Sequence, residues 1–123
     1  MIEVLVVEPN KLPEKRTIPN KLESFQEIVG GYVECVFLYD RKDVALLCNE
    51  EGKIKKLKPC RDIGFDTICG NFIIVGVSDN DNEFHSLTKK QFKDMNYRFD
   101  ETSLEELEFK LKVEKNRNDE RMV

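Results

Sequence analysis

Residues 32–39 read YVECVFLY, eight positions with a single charge. Laid out as a strand, Val33, Cys35, Phe37 and Tyr39 share one face, and Tyr32, Glu34, Val36 and Leu38 share the other. A strand that is apolar on both faces is expected in the middle of a sheet, covered on each side. That single requirement rules out a bare hairpin or a helical bundle and asks for a layered fold.

The flanking sequence supplies the other layers. Met1 to Glu8 alternates and reads as a first strand, and Pro9, Pro13 and Pro19 mark an extended connection after it. After YVECVFLY, DRKD makes a turn and VALLC returns as the next strand. Asn49-Glu50-Glu51-Gly52 reads as a hairpin turn with Gly52 left-handed. KIKKLK then reads as an edge strand whose lysines discourage pairing with other chains, closed by Pro59. TICGNFIIVGVS is a strongly apolar strand in which Gly70 and Gly76 mark a bulge or a close backbone approach, and FHSL is a short one.

Two helices punctuate these strands. Asn20 is expected to cap the first, with Glu23 completing a capping box and Leu22, Phe25, Ile28 and Val29 forming its apolar stripe. Gly30 and Gly31 end it, one of them in the left-handed conformation. Thr88 and Gln91 form a second capping box, opening a helix that buries Phe92 and Met95 and stops near Tyr97. The expected fold is therefore α+β: a mostly antiparallel sheet of five or six strands with two short helices packed on it. Residues 1–100 form the single domain, and 101–123 are a charged C-terminal extension. In that extension Ser103 and Glu106 favour a helical turn, while Leu107, Phe109, Leu111 and Val113 alternate with charges as a strand does. Such a strand, apolar along one side, is expected to make a homodimer through residues 107–113.

Composition narrows the function. No apolar run approaches the ~20 residues that span a bilayer, and the N-terminus has no basic flank or cleavage site, so no membrane and a cytoplasmic location are expected. With 20 basic and 24 acidic residues, general nucleic-acid binding is disfavoured, and the acidic excess is too small for a nucleic-acid mimic. Cys35, Cys48, Cys60 and Cys69 include no Cys-x-x-Cys pair, so reduced, mostly buried thiols, no metal and no cofactor are expected. Asp79, Asp81 and Glu83 begin like a calcium loop, but Phe84 and Lys90 occupy the positions that need glycine and the closing acid, which leaves a turn. His85 is the only histidine, and neither Ser86 nor Ser103 sits in a glycine-rich elbow, so no catalytic residue is assigned.

The densest chemistry lies in CNEEGKIKKLKPCRD, residues 48–62. One reading makes it a solvated turn and a lysine-blunted edge. The other has Glu34, Asn49, Glu50 and Arg61 converge at one end of the sheet, with Arg61 paired to Glu34. There an amide, carboxylates and a guanidinium would recognise a polar ligand or a partner's charged side chain.

The blocks EVLVVEPN, SFQEIVGGYVE, CNEEGKIKKLKPCRD, DTICGNFIIVGV and FHSLT resemble a family of small phage and mobile-element proteins that carry a domain of unknown function. The resemblance covers about Met1 to Phe99. The family pattern has asparagine before the arginine of the third block, where this chain has Cys60. It implies no activity, but it does imply an accessory gene. The expected function is a non-enzymatic binding protein, a counter-defence factor acting by stoichiometric contact with a host protein. Its rivals are a small polar ligand binder that sequesters a nucleotide-like signal through Arg61, and a small hydrolase using Glu34, Glu50 or His85.

Overall fold

The structure, a computed structural model, describes residues 1–100; the helical turn and strand expected within 103–113 lie outside the described residues. The fold is α+β, as expected. A five-stranded antiparallel sheet has the order β2-β1-β7-β4-β3, formed by β1 (Ile2–Val7), β2 (Glu14–Ile18), β3 (Val33–Leu38), β4 (Arg41–Asn49) and β7 (Phe72–Gly76). A two-stranded sheet pairs β5 (Pro59–Asp62) with β6 (Thr67–Cys69), and the helices are α1 (Leu22–Val29) and α2 (Lys89–Arg98). Among the described residues no helix is long and apolar enough to cross a membrane.

Strand alternation divides the core in two. Leu5, Val7, Leu46, Phe72 and Ile74 face Cys60 and Ile68 of the small sheet and Met95 of α2, with Phe99 just beyond that helix. Val4, Val6, Leu47, Ile73 and Val75 face Phe25 and Val29 of α1. Burying one large aliphatic or aromatic side chain contributes about 1.5–3 kcal/mol, so the two layers together carry most of the fold's stability.

The middle of the sheet is β7, and β3 is an edge strand, contrary to the expectation from YVECVFLY. All five residues of β7 are buried, and none needs water. In β3, Glu34, Cys35 and Phe37 are exposed, and Glu34 keeps its carboxylate hydrated only because no strand lies beyond it among the described residues. The apolar run TICGNFIIVGVS is likewise two strands in different sheets, broken where Gly70 takes φ 87°. Gly76 makes the expected close approach: a Cβ there would lie 3.0 Å from the Ser86 carbonyl oxygen. FHSL contributes only a bridge from His85 to Gly76.

KIKKLK is also not an edge strand. Residues 50–56 fold back in turns closed by Lys55 N–H to Glu51 O (2.9 Å) and Leu57 N–H to Gly52 O (2.9 Å). These bonds satisfy the backbone locally and leave Lys53, Lys55 and Lys56 in solvent. Lys56, with φ 56°, takes the left-handed conformation expected of Gly52, and Pro59 opens β5 instead of closing a strand.

At α1 the cap is Lys21, with no side-chain hydrogen bond, because Asn20 donates instead to the Phe84 carbonyl at 3.0 Å. The helix end is better provided for. Gly30 has φ 79°, and the Gly31 N–H reaches Gln26 O at 3.2 Å. The Asn49 and Asn71 amides donate to the carbonyls of Val29 (3.1 Å) and Ile28 (3.2 Å). A Cβ on Gly30 would meet nothing within 4 Å, so Gly30→Ala carries only the conformational penalty. Chemical denaturation should show a loss of about 1 kcal/mol, with Gly30→Asn recovering part of it.

The second helix opens with the expected capping box, Thr88 and Gln91 bonding reciprocally. It is tied to β4 by Arg41, whose guanidinium donates to Asp94 at 2.9 Å and to both oxygens of Asp43. Those bonds hold the Asp43 carboxyl well below the usual carboxylate range.

Candidate functional site

The hairpin of β3 and β4 sets Glu34 directly across from Cys48, so the Glu34 side chain shares a face with the strand end that carries Asn49 and Glu50. The turn after β4 and the strand β6 close the other sides. The result is a cavity of about 120 Å³ lined by Glu34, Asn49 and Glu50 together with Lys53, Asp66 and Thr67. Three of the four residues singled out in the sequence are thus brought to one place.

Asn49 is a brace more than a contact surface. It is 5% exposed; its amide nitrogen holds Val29 O, and its carbonyl oxygen accepts the Glu51 N–H at 2.8 Å. Through those two bonds the end of α1 fixes the turn that presents Glu50. Asp66 accepts from the Lys53 ammonium and from the Thr67 N–H at 2.8 Å. The Thr67 hydroxyl is the one buried side-chain polar atom among the described residues without a hydrogen-bond partner. Burial, with the Glu34 and Asp66 carboxylates adding to it, pushes the Cys48 thiol up to about 12. It therefore stays protonated and is no nucleophile. Three carboxylates against one lysine give the cleft an acidic lining.

Arg61 does not join it, and the expected pairing with Glu34 is not made. Arg61 is 2% exposed, on the opposite strand of the small sheet. Its guanidinium donates to backbone carbonyls: Phe99 at 2.9 Å, Cys60 at 2.9 Å, Lys11 at 2.6 Å and Glu8 at 3.4 Å. Burial lowers its pKa. Arg61 clamps three chain segments and leaves no donor face for a ligand. His85 is placed elsewhere too, bonded to Asp81 at 2.8 Å in the 79–83 turn, where Asp81 also accepts the Glu83 N–H. Among the described residues no three His, Cys, Asp or Glu side chains could share a metal ion.

Two features escaped the sequence reading. The first is the aromatic character of the open edge: Phe37 is 54% exposed and Tyr39 80%, the latter against Phe65 with ring centroids 4.5 Å apart. The opposite edge, β2, carries Glu14, Lys15 and Arg16 between Pro13 and Pro19, the usual protection of an edge. Comparing the charge of the two strands, three against one, would have pointed to β3. The second is a groove of about 580 Å³ between α2 and β1–β2, floored by Leu5, Leu87 and Phe92 and rimmed by Lys15, Lys89 and Lys93. Its elements are far apart in sequence, and no local signal announces it.

No curated protein and no solved structure matches this chain. Residues 2–100 match the family described as Domain of unknown function (DUF3846), the stretch that holds both helices, both sheets and the acidic cleft. By that match over most of its length, the chain belongs to the DUF3846 family.

Proposed function

We propose that the protein is a non-enzymatic binding protein that captures an extended segment of a partner protein along the outer edge of β3. The apolar edge of β3, which pairs with no strand among the described residues, carries this reading, set against the protected edge of β2. An added strand gains affinity from main-chain hydrogen bonds and specificity from side-chain pockets at alternate positions. Here the pocket beside Glu34 is acidic, so the segment it suits places a lysine or arginine there between apolar residues. In the setting suggested by the resemblance, the partner is a host protein in the host cytoplasm. The protein is then a phage or mobile-element accessory factor that counters a host function stoichiometrically.

The hydrolase reading has less support, since His85 pairs with Asp81 rather than with Glu34 or Glu50. The ligand-binder reading moves away from Arg61 to the lysine-rimmed groove, whose size is within the range of small-molecule sites.

Affinity selection from host lysate with four proteins tests the proposal: wild type, Glu34→Lys, Phe37→Lys and the β2 control Thr17→Lys. All three changes fall on exposed positions, so stability should stay within about 0.5 kcal/mol. The expected result is a partner whose affinity falls at least tenfold, about 1.4 kcal/mol, in Glu34→Lys and Phe37→Lys and is unchanged in Thr17→Lys. A partner retained equally by all four proteins overturns the β3 edge as the docking surface.

A further inference from the structure

We propose that the groove between α2 and β1–β2 binds an organic anion with an apolar body, such as an acyl carboxylate or an aryl sulfonate. The proposal rests on the ligand-binding reading of this groove, names the class of its ligand, and does not depend on the β3 edge.

Two separate sequence patterns build the groove. In α2, Lys89, Phe92, Lys93 and Asn96 stand at i, i+3, i+4 and i+7 and so fall on one stripe of the helix. Facing that stripe, alternation puts Glu3 and Leu5 of β1 on one side of the sheet, and β2 sets Lys15 across from Leu5. Leu87, just ahead of the helix, and Pro13, just ahead of β2, complete a cavity of about 580 Å³. Small-molecule sites span about 300–1,000 Å³.

The chemistry changes from floor to rim. The side chains of Leu5, Leu87 and Phe92 offer no hydrogen bond, so a hydroxylated or heterocyclic body laid on them would lose its hydration without return. The polar lining is three ammonium groups, the Asn96 amide and one carboxylate, Glu3. Glu3 is engaged by Lys15 at 3.6 Å, and the same ammonium stands over the Phe92 ring, 4.7 Å from its centroid. The lysine of α2 that pairs with Asp94 is Lys90, at 3.6 Å. Lys89 and Lys93 have no carboxylate partner among the described residues. An acid group at the mouth supplies that partner, while its body covers the half-buried ring of Phe92. The three cations outnumber Glu3, so a cation of the same shape is turned away.

Amide NMR and dye fluorescence on the full chain test this, with anilinonaphthalenesulfonate and decanoate as probes. Both should bind saturably and shift amides of residues 3–5, 13–15 and 87–96, and decanoate should displace the dye. Lys89→Glu combined with Lys93→Glu should weaken both probes about tenfold or more. Both positions are exposed, so the variant should fold as the wild type does. Lys42→Glu combined with Lys55→Glu makes the same change of net charge at exposed positions outside the groove, and should leave binding unchanged. Equal weakening in the two double variants, shifts centred outside the groove, or decylamine binding as well as decanoate overturns the proposal. Groove shifts with adenosine monophosphate and none with decanoate overturn the apolar-bodied class and keep the groove as a ligand site. No groove shift with any of these probes removes the ligand-binding reading as well.

Discussion

Arg61→Ala should cost about 3–5 kcal/mol of folding stability, the largest effect of any single change discussed for this protein. The guanidinium is buried and has no carboxylate beside it in its hydrogen-bond set; its charge is spread over the carbonyls of Glu8, Lys11, Cys60 and Phe99. Hydrogen bonds to a charged donor contribute about 1.5–3 kcal/mol each. Each carbonyl left buried without a partner carries its own desolvation cost. Alanine removes every donor at once and unties the turn after β1, strand β5 and the end of α2 from one another. Arg61→Lys keeps the charge but presents a point donor in place of a planar fork, and it should recover less than half of the loss. Urea denaturation of the three proteins measures this directly. A loss below about 1 kcal/mol in the alanine variant would show that the clamp is dispensable, returning Arg61 to the pool of candidate binding residues.

Gly52→Ala should be the next most damaging change, at about 2–3 kcal/mol. A Cβ at this position would sit 2.5 Å from the Cys69 carbonyl oxygen and 3.4 Å from that of Asn49. Both obstacles are backbone, so no rotamer change relieves the clash, and the 50–56 turn must lift away from β6. The lift also carries Glu50 away from Asp66 and opens the cleft, so partner affinity should fall along with stability. Gly64→Ala is the matched control. Gly64 has φ 100° but open space around a Cβ, and its penalty should be near 1 kcal/mol with the cleft unchanged. Equal losses in the two variants would show that backbone conformation, not the close packing of turn on strand, governs Gly52.

These two residues also mark where the sequence stops being informative. Thr88 and Gln91 were readable because a capping box is complete within four residues, and Gly30 because a helix end is local. Glu34, Asn49 and Glu50 were readable as a group because one hairpin brings them together. Asp66 and Thr67 were not, since they arrive from the start of β6 and the residue before it, and β6 pairs with another strand altogether. Arg61 misled because its partners are backbone carbonyls, which every residue possesses and no pattern reveals. The placement of β3 misled for a related reason. Alternation reports which face of a strand is apolar, but not how many strands lie beside it, and β7 took the middle with a run that needs no water at all.

The strand order also governs how the molecule can assemble in time. β1–β2 and β3–β4 are hairpins of neighbouring segments, each free to form as soon as its residues are available. They do not touch as strands. Only β7 joins them, pairing Leu5 with Ile74 on one side and Val44 with Gly76 on the other. On a ribosome the N-terminal hairpin must therefore wait, with one edge of β1 unpaired, until residue 76 has emerged. Closing so long a loop costs entropy before any contact repays it, so this non-local step is the one expected to set the pace of folding. The sheet behaves as two preformed halves and a keystone: a nascent chain cut before Phe72 holds both halves but not the five-stranded sheet.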